Sequence, residues 1–326
     1  MTAPIADNLP ASDGPPDSLL DSSEGMSVKA RTQWQLIARR FFRHRLAMSS
    51  LAVLIGVVIL SYVGLWFWDL PYNRSGTVQN RGRPTLDLIP WLDGDGLMMG
   101  KHPFGQDDIG RDYFAVTLKG AQGSITIALL SGLIATTIGT VVGALAGFYR
   151  GAVDSVLMRI VDVLFTIPLL VVVAVLGRRM DPEGNLLLGA FIIACLAWLT
   201  TARVIRAEFM SLREKEFVEA ARALGASNRR IIWKHIMPNV IGSVIVSATL
   251  LISAAILVEA ALSFLGFGVS EFSLGRLVQT YRAAFNVRPW LFWWPGLFII
   301  VVALTINFIG DGLRDAFDPK QTRVRQ

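Results

Sequence analysis

Along the chain, apolar and polar positions separate into long blocks. Charge-free runs extend from Leu46 to Trp68, Ala121 to Tyr149, Asn185 to Ala202, Ile236 to Val258 and Pro289 to Gly310. A helix that crosses a bilayer needs about 20 mostly apolar residues, so these runs predict five transmembrane helices. A sixth run, Ser155 to Gly177, carries Arg159 and Asp162 near one end and then reads VLFTIPLLVVVAVLG. Its charges can stay at headgroup level while the rest fills the hydrocarbon. The pattern predicts an all-α membrane protein of about six transmembrane helices.

The polar blocks divide the remainder. Residues 1–28 hold five acids and no base among many Pro, Gly and Ser; they predict a disordered acidic tail and do not resemble a cleaved signal peptide. Over 29–45, Trp34, Ile37, Ala38 and Phe41 recur at helical spacing among arginines, which predicts an interfacial basic helix on membrane lipid rather than a nucleic-acid surface. The first span is 46–68, an extracytoplasmic loop follows at 69–120, and 121–312 form the remaining spans with a cytoplasmic loop at 203–236. Residues 313–326 make a C-terminal cytoplasmic tail. The orientation comes from the 31 Lys and Arg: with both termini inside, 20 fall on the inner face and 11 on the outer, as cytoplasmic loops require.

A hydrophobic share of 53% excludes an ordinary soluble domain. The single cysteine, Cys195, lies within an apolar run, so no intrachain disulfide is possible. With only His44, His102 and His235 there is no HExxH pair, and neither G-x-S-x-G nor the phosphate-cradling G-x-x-x-x-G-K-[ST] occurs. The outer loop has seven aspartates and ends in HPFGQDDIGRD. His102, Asp107, Asp108 and Asp112 there have no second histidine nearby and lack calcium-loop spacing, so the segment reads as a turn held by Asx and Gly chemistry rather than a metal site. Glu259 is the one acid set deep between long apolar stretches. It reads as a polar tie or gate, or as the coupling group of an ion-driven transporter.

The inner loop is polar yet strongly helix-forming. In EFVEAARALG the residues Phe217, Ala220, Ala221 and Leu224 share helical spacing, and Gly225 supplies the left-handed stop. Ser227 can cap a second helix, NRRIIWKHIM, that ends at Pro238. On pattern alone this is either a solvated amphipathic hairpin or a docking surface, with small Ala220 and Ala221 allowing close approach and Glu219 offering a polar partner.

The segment Glu219 to Pro238 resembles the signature loop of ABC importer permeases: Glu-Ala-Ala, three residues, Gly, nine residues and an Ile-x-Leu-Pro ending. Glu219, Ala220, Ala221, Gly225 and Pro238 fall in register, while His235 and Met237 replace the Ile and Leu. The segments HPFGQDDIGRD (His102, Pro103, Gly105, Asp107, Asp108, Gly110, Arg111, Asp112), LMRIVDVLFTIP (ending at Pro168), EAALSFLGFG from Glu259 and GDGLRDAFDP from Gly310 resemble the dipeptide and oligopeptide branch. The chain departs from that branch at GVSEFSLGRL, which lacks a Pro- and Trp-containing stretch, and at the charged GRRMDPEGN.

The resemblance implies a multi-pass subunit of the inner or plasma membrane, with both termini cytoplasmic. It pairs with a second homologous permease, is powered by two ATP-binding subunits or one fused ATPase, and receives substrate from an extracytoplasmic solute-binding protein. ATP and Mg belong to those partner subunits, and the chain itself carries no cofactor, no metal and no catalytic residue. The loop helix is implied to dock on the ATPase through residues 216–235, and Glu259 and Pro168 to serve gating or helix packing.

Overall fold

A computed structural model describes residues 33–87, 98–180, 185–268, 270 and 272–317. The acidic tail, most of the C-terminal tail and the acidic part of GRRMDPEGN lie outside these residues. The first helix, α1 (Gln33–Arg43), ends at His44, whose Nδ1 accepts from the Ala47 amide at 3.1 Å and so caps α2 (Arg45–Phe67). Within α1, Ile37 and Phe41 are half-buried and Ala38 is exposed. The basic helix expected over 29–45 therefore ends at Arg43 and is followed by a cap; residues 29–32 lie outside the described residues.

The outer loop contributes a pair of two-residue antiparallel strands, β1 (Leu86–Asp87) and β2 (Met98–Met99). It ends earlier than the hydropathy indicates. Asp112 accepts from the Ala115 amide at 3.0 Å and starts α3 (Tyr113–Tyr149), so residues 113–120, expected as loop, are helix. A side-chain acceptor for an orphan amide is what fixes a helix start, and Lys119 had hidden it in the hydropathy.

The sixth run is bent rather than straight. Helices α4 (Gly151–Phe165) and α5 (Leu169–Met180) meet at 80° across Thr166–Pro168. Proline has no amide proton and disfavours a helical residue before it, so Pro168 ends one helix and opens the next. Then α6 (Leu186–Arg213), capped by Asn185, runs on past Ala202. It is tied to α4 by Arg206 on Asp154, at 2.5 and 2.6 Å, and by Arg203 on Asp162 at 2.7 Å.

After the short α7 (Glu216–Ala223), helix runs from Asn228 to Phe264 without a break; we call it α8. The separate second helix of the expected hairpin is thus the first part of a span. A π-helical stretch, Ile231–Ile236, precedes Pro238, which lies in the first turn of the α-helical part. The wider turn admits a residue without an amide proton and lets the helix continue. The last elements are α9 (Leu274–Thr280) and α10 (Trp290–Phe317).

One end of the bundle carries α1, α7 and the end of α10, where His44 faces Asp315 at 3.6 Å. The other end carries the outer loop and α9. Towards the first of these ends, α3 and α6 touch backbone to backbone along Gly139, Gly143 and Gly147. A Cβ placed on these would stand 2.7, 2.5 and 2.6 Å from the carbonyl oxygens of Trp198, Ala202 and Arg206. Such small-residue seams let helices approach closely where lipid supplies no hydrophobic drive between them.

Candidate functional site

At the first end, α7 is held by one face and open on the other. Val218 is buried in a cluster with Phe148, Ile205, Phe209, Ile231 and Ile236, drawn from α3, α6 and α8, and Ala221 is buried as well. Phe217, Ala220 and Leu224 point away, and Leu224 is 88% exposed. Of the two small residues expected at the surface, Ala220 is exposed while Ala221 packs inward. Gly225 has φ of 76°, and the Ala226 amide closes back on the Ala221 carbonyl at 3.0 Å, which ends the helix as expected. Ser227 Oγ accepts from the Arg230 amide at 3.4 Å. Glu219 is exposed, whereas Pro238 belongs to α8 and not to this turn. The arrangement is a rigidly footed helix with an apolar stripe and an acid facing outward.

Within the bundle, Glu259 is fully buried. Ser124 of α3 donates to one carboxylate oxygen at 2.8 Å and Ser263 of α8 to the other at 2.7 Å. Ser273, which caps α9, donates to Ser263 Oγ at 3.2 Å, and the Leu274 amide donates to Ser124 Oγ at 3.0 Å. Glu259 therefore ties α3, α8 and α9 together, the polar-tie reading of this residue. Pro168 lies elsewhere, at the α4–α5 bend. The serine partners were readable only in part: Ser263 follows Glu259 by one helical turn, but Ser124 and Ser273 are distant in sequence.

At the other end, the HPFGQDDIGRD segment folds into a cap over α3. One Asp107 oxygen accepts from the Ile109 and Arg111 amides at 3.1 and 2.8 Å; the other accepts from Arg111 Nε at 2.6 Å and the Tyr281 hydroxyl at 3.1 Å. This is the Asx turn read from the sequence. Gly110 has φ of 77°, and a Cβ there would lie 2.1 Å from the Gly76 carbonyl oxygen, so only glycine fits. Gly105 is similarly left-handed, Pro103 is buried, and Asp108 sits at the surface paired with Arg288 at 2.7 Å.

His102 Nδ1 lies 3.0 Å from one Asp112 oxygen, and Trp68 Nε1 donates to the other at 2.8 Å. Burial pushes the Asp112 carboxyl above its ordinary value against these hydrogen bonds, and burial together with the Asp107 charge pushes the Tyr281 phenol up to about 12. Trp68 and Tyr281, which complete the cap, carry no local sequence signal; each reaches it from another part of the chain.

A family model described as "Binding-protein-dependent transport system inner membrane component" matches residues 139–323, and one described as "N-terminal TM domain of oligopeptide transport permease C" matches residues 32–85. A curated relative from Haemophilus influenzae, oligopeptide transport system permease protein OppC, is 38% identical over 306 residues, covering 93% of this chain and 94% of its own. Proteins of the same name from Escherichia coli strain K12 and Bacillus subtilis strain 168 are 36% and 34% identical, over 93% and 91% of this chain and 97% and 93% of their own. Among solved structures, an inward-facing conformation of the MetNI methionine ABC transporter aligns with a TM-score of 0.52 at 20% identity, covering 62% of this chain and 96% of that one, and so shares its fold. With apolar helices long enough for five or six crossings, the chain belongs to the inner-membrane permease components of binding-protein-dependent ABC importers, subunits that are not themselves catalytic.

Proposed function

We propose that this permease forms half of a translocation pathway for oligopeptides and takes its conformational drive from a cytoplasmic ATPase through residues 216–235. Oligopeptide is the substrate in the names of the relatives, which match nearly the whole chain. The observation that carries the coupling reading is the outward apolar stripe of Phe217, Ala220 and Leu224 on a helix whose opposite face is buried at Val218 and Ala221, with Val218 packed among side chains of three longer helices. A push on α7 is transmitted to α3, α6 and α8 because packed cores move as units rather than yield. The other half of the pathway is a homologous permease, ATP and Mg reside on two ATPase subunits or a fused one, and a solute-binding protein docks at the cap. The ion-coupled alternative built on Glu259 gains no support, since serine hydroxyls hold both carboxylate oxygens.

The test uses purified complexes carrying Gly225→Val, Glu219→Lys or Leu224→Asp, compared at equal assembly. A Cβ at Gly225 meets nothing within 4 Å, so the valine acts through its left-handed backbone alone, at about 1 to 2 kcal/mol. Loss of substrate-stimulated ATPase activity and uptake is expected in assembled complexes. Normal transport by all three would reduce the loop to a solvated hairpin. The distribution of Lys and Arg supports cytoplasmic termini: in a Cys195→Ser background, Ser75→Cys should react with an impermeant thiol reagent added outside and Ser227→Cys should not. Reversed labelling would overturn that orientation.

A further inference from the structure

The cap carries a half-open pocket of about 260 Å³ that the transport reading leaves without a role. Its base is rigid. Gln106, 3% exposed, donates to the Gly110 carbonyl at 3.1 Å and accepts from the Gln79 amide at 2.7 Å. His102 and Asp112 beside it are also buried, and Asp112 is satisfied by Trp68, the Ala115 amide and His102. With Nδ1 of His102 directed at Asp112, its Nε2 has no partner among the described residues.

The rim carries Arg74 and Lys101, both exposed and neither in an ion pair among the described residues. Asp69 lines an adjoining pocket together with Lys101 but does not pair with it. Two cations with no ion pair among the described residues therefore stand over a polar base, where the Asp112 carboxylate already accepts from Trp68 and the Ala115 amide and lies against His102. Such a site draws an anion, and the fork of a guanidinium matches the two oxygens of a carboxylate. Its size sets the ligand. Pockets for drug-sized molecules begin at about 300 Å³, so this one admits a carboxylate and the few atoms bearing it, not an oligopeptide.

We infer that this pocket is a carboxylate-binding site on the extracytoplasmic face, filled by the C-terminal carboxylate of a peptide or by an acidic side chain. The inference rests on the orientation proposed above. Carboxylate bound there lies against Lys101 and shields its amine.

The assay is the acylation rate of Lys101, read by peptide mass spectrometry on the assembled transporter in nanodiscs. Three probes are added at about 20 mM, enough to fill a site of about 1 mM affinity: N-acetyl-Ala-Ala-Ala with a free C-terminus, N-acetyl-Ala-Glu-Ala-amide, and N-acetyl-Ala-Gln-Ala-amide at matched ionic strength. A carboxylate probe should slow acylation about threefold or more, the glutamine probe should leave it unchanged, and Arg74→Gln should remove the protection, measured against that variant's own rate without probe. Protection by the first probe alone assigns the site to a peptide terminus, and by the second alone to an acidic side chain. Equal protection by the glutamine probe, protection by neither carboxylate, or protection that survives Arg74→Gln would overturn the site. Acylation of Lys101 in intact cells by an impermeant reagent, with no peptide present, tests the orientation separately; protection in nanodiscs without labelling in cells would refute the orientation and leave the pocket's chemistry standing.

Discussion

Replacing Gly143 by alanine tests the packing on which the fold depends. The added Cβ would stand 2.5 Å from the Ala202 carbonyl oxygen and 2.9 Å from Ile205 Cβ, whereas ordinary contact begins at 3.4 Å. The oxygen is backbone, so it cannot rotate aside, and α3 and α6 must part locally by several tenths of an ångström. Overpacking of this kind costs about 1 to 3 kcal/mol. Alanine also gains about 1 kcal/mol of helix propensity over glycine, which would mask part of the loss. Gly56→Ala removes that ambiguity: it lies in α2, is exposed, and a Cβ there meets nothing within 4 Å. Propensity cancels between the two variants and the difference isolates the seam. Thermal denaturation of the purified complexes should place Gly143→Ala below Gly56→Ala by a few degrees, corresponding to about 1 to 3 kcal/mol. Equal midpoints would show that the α3–α6 contact is not a close-packed seam.

Glu259→Gln keeps an acceptor for one serine hydroxyl and should retain ATP-driven uptake, whereas Glu259→Ala strands Ser124 and Ser263 and should lower the denaturation midpoint, at about 1 to 3 kcal/mol for each buried group left unmade; uptake that needs a proton gradient and no ATP would contradict the tie. Trp68→Phe removes a donor to Asp112 and should loosen the cap, read as faster hydrogen exchange at the Ala115 amide; unchanged exchange would show that Trp68 does not hold it. Because burial raises the Asp112 value in the folded state, its contribution is fully present at low pH and is lost as pH rises through that raised value. The stability difference between the natural protein and Asp112→Asn should therefore favour the natural protein more in acid than at neutral pH, and a difference that moved the other way would refute the burial argument.

The sequence by itself determined the number of crossings, the turn chemistry of the cap and the register of the loop signature, because each follows from the length of an apolar run or from local backbone demands. Gly225 needed positive φ, and the helical spacing before it showed as much. Tertiary structure decided which face of each helix finds a partner. On α7 two apolar stripes overlap, and spacing grouped Phe217 with Ala220, Ala221 and Leu224; only the tertiary structure, with Val218 in the cluster around Phe148 and Phe209, chose Val218 and Ala221 for the inside. Along the spans the same ambiguity is stronger, since a face turned to lipid is as apolar as one turned to another helix. The Gly139–Gly143–Gly147 seam repeats G-x-x-x-G in the sequence, a spacing that hydropathy alone passes over, and nothing local says that α6 fills it. Likewise Glu259 announced a buried carboxylate, but two of its three serines come from other helices, and only the folded chain brings α3 and α9 to it.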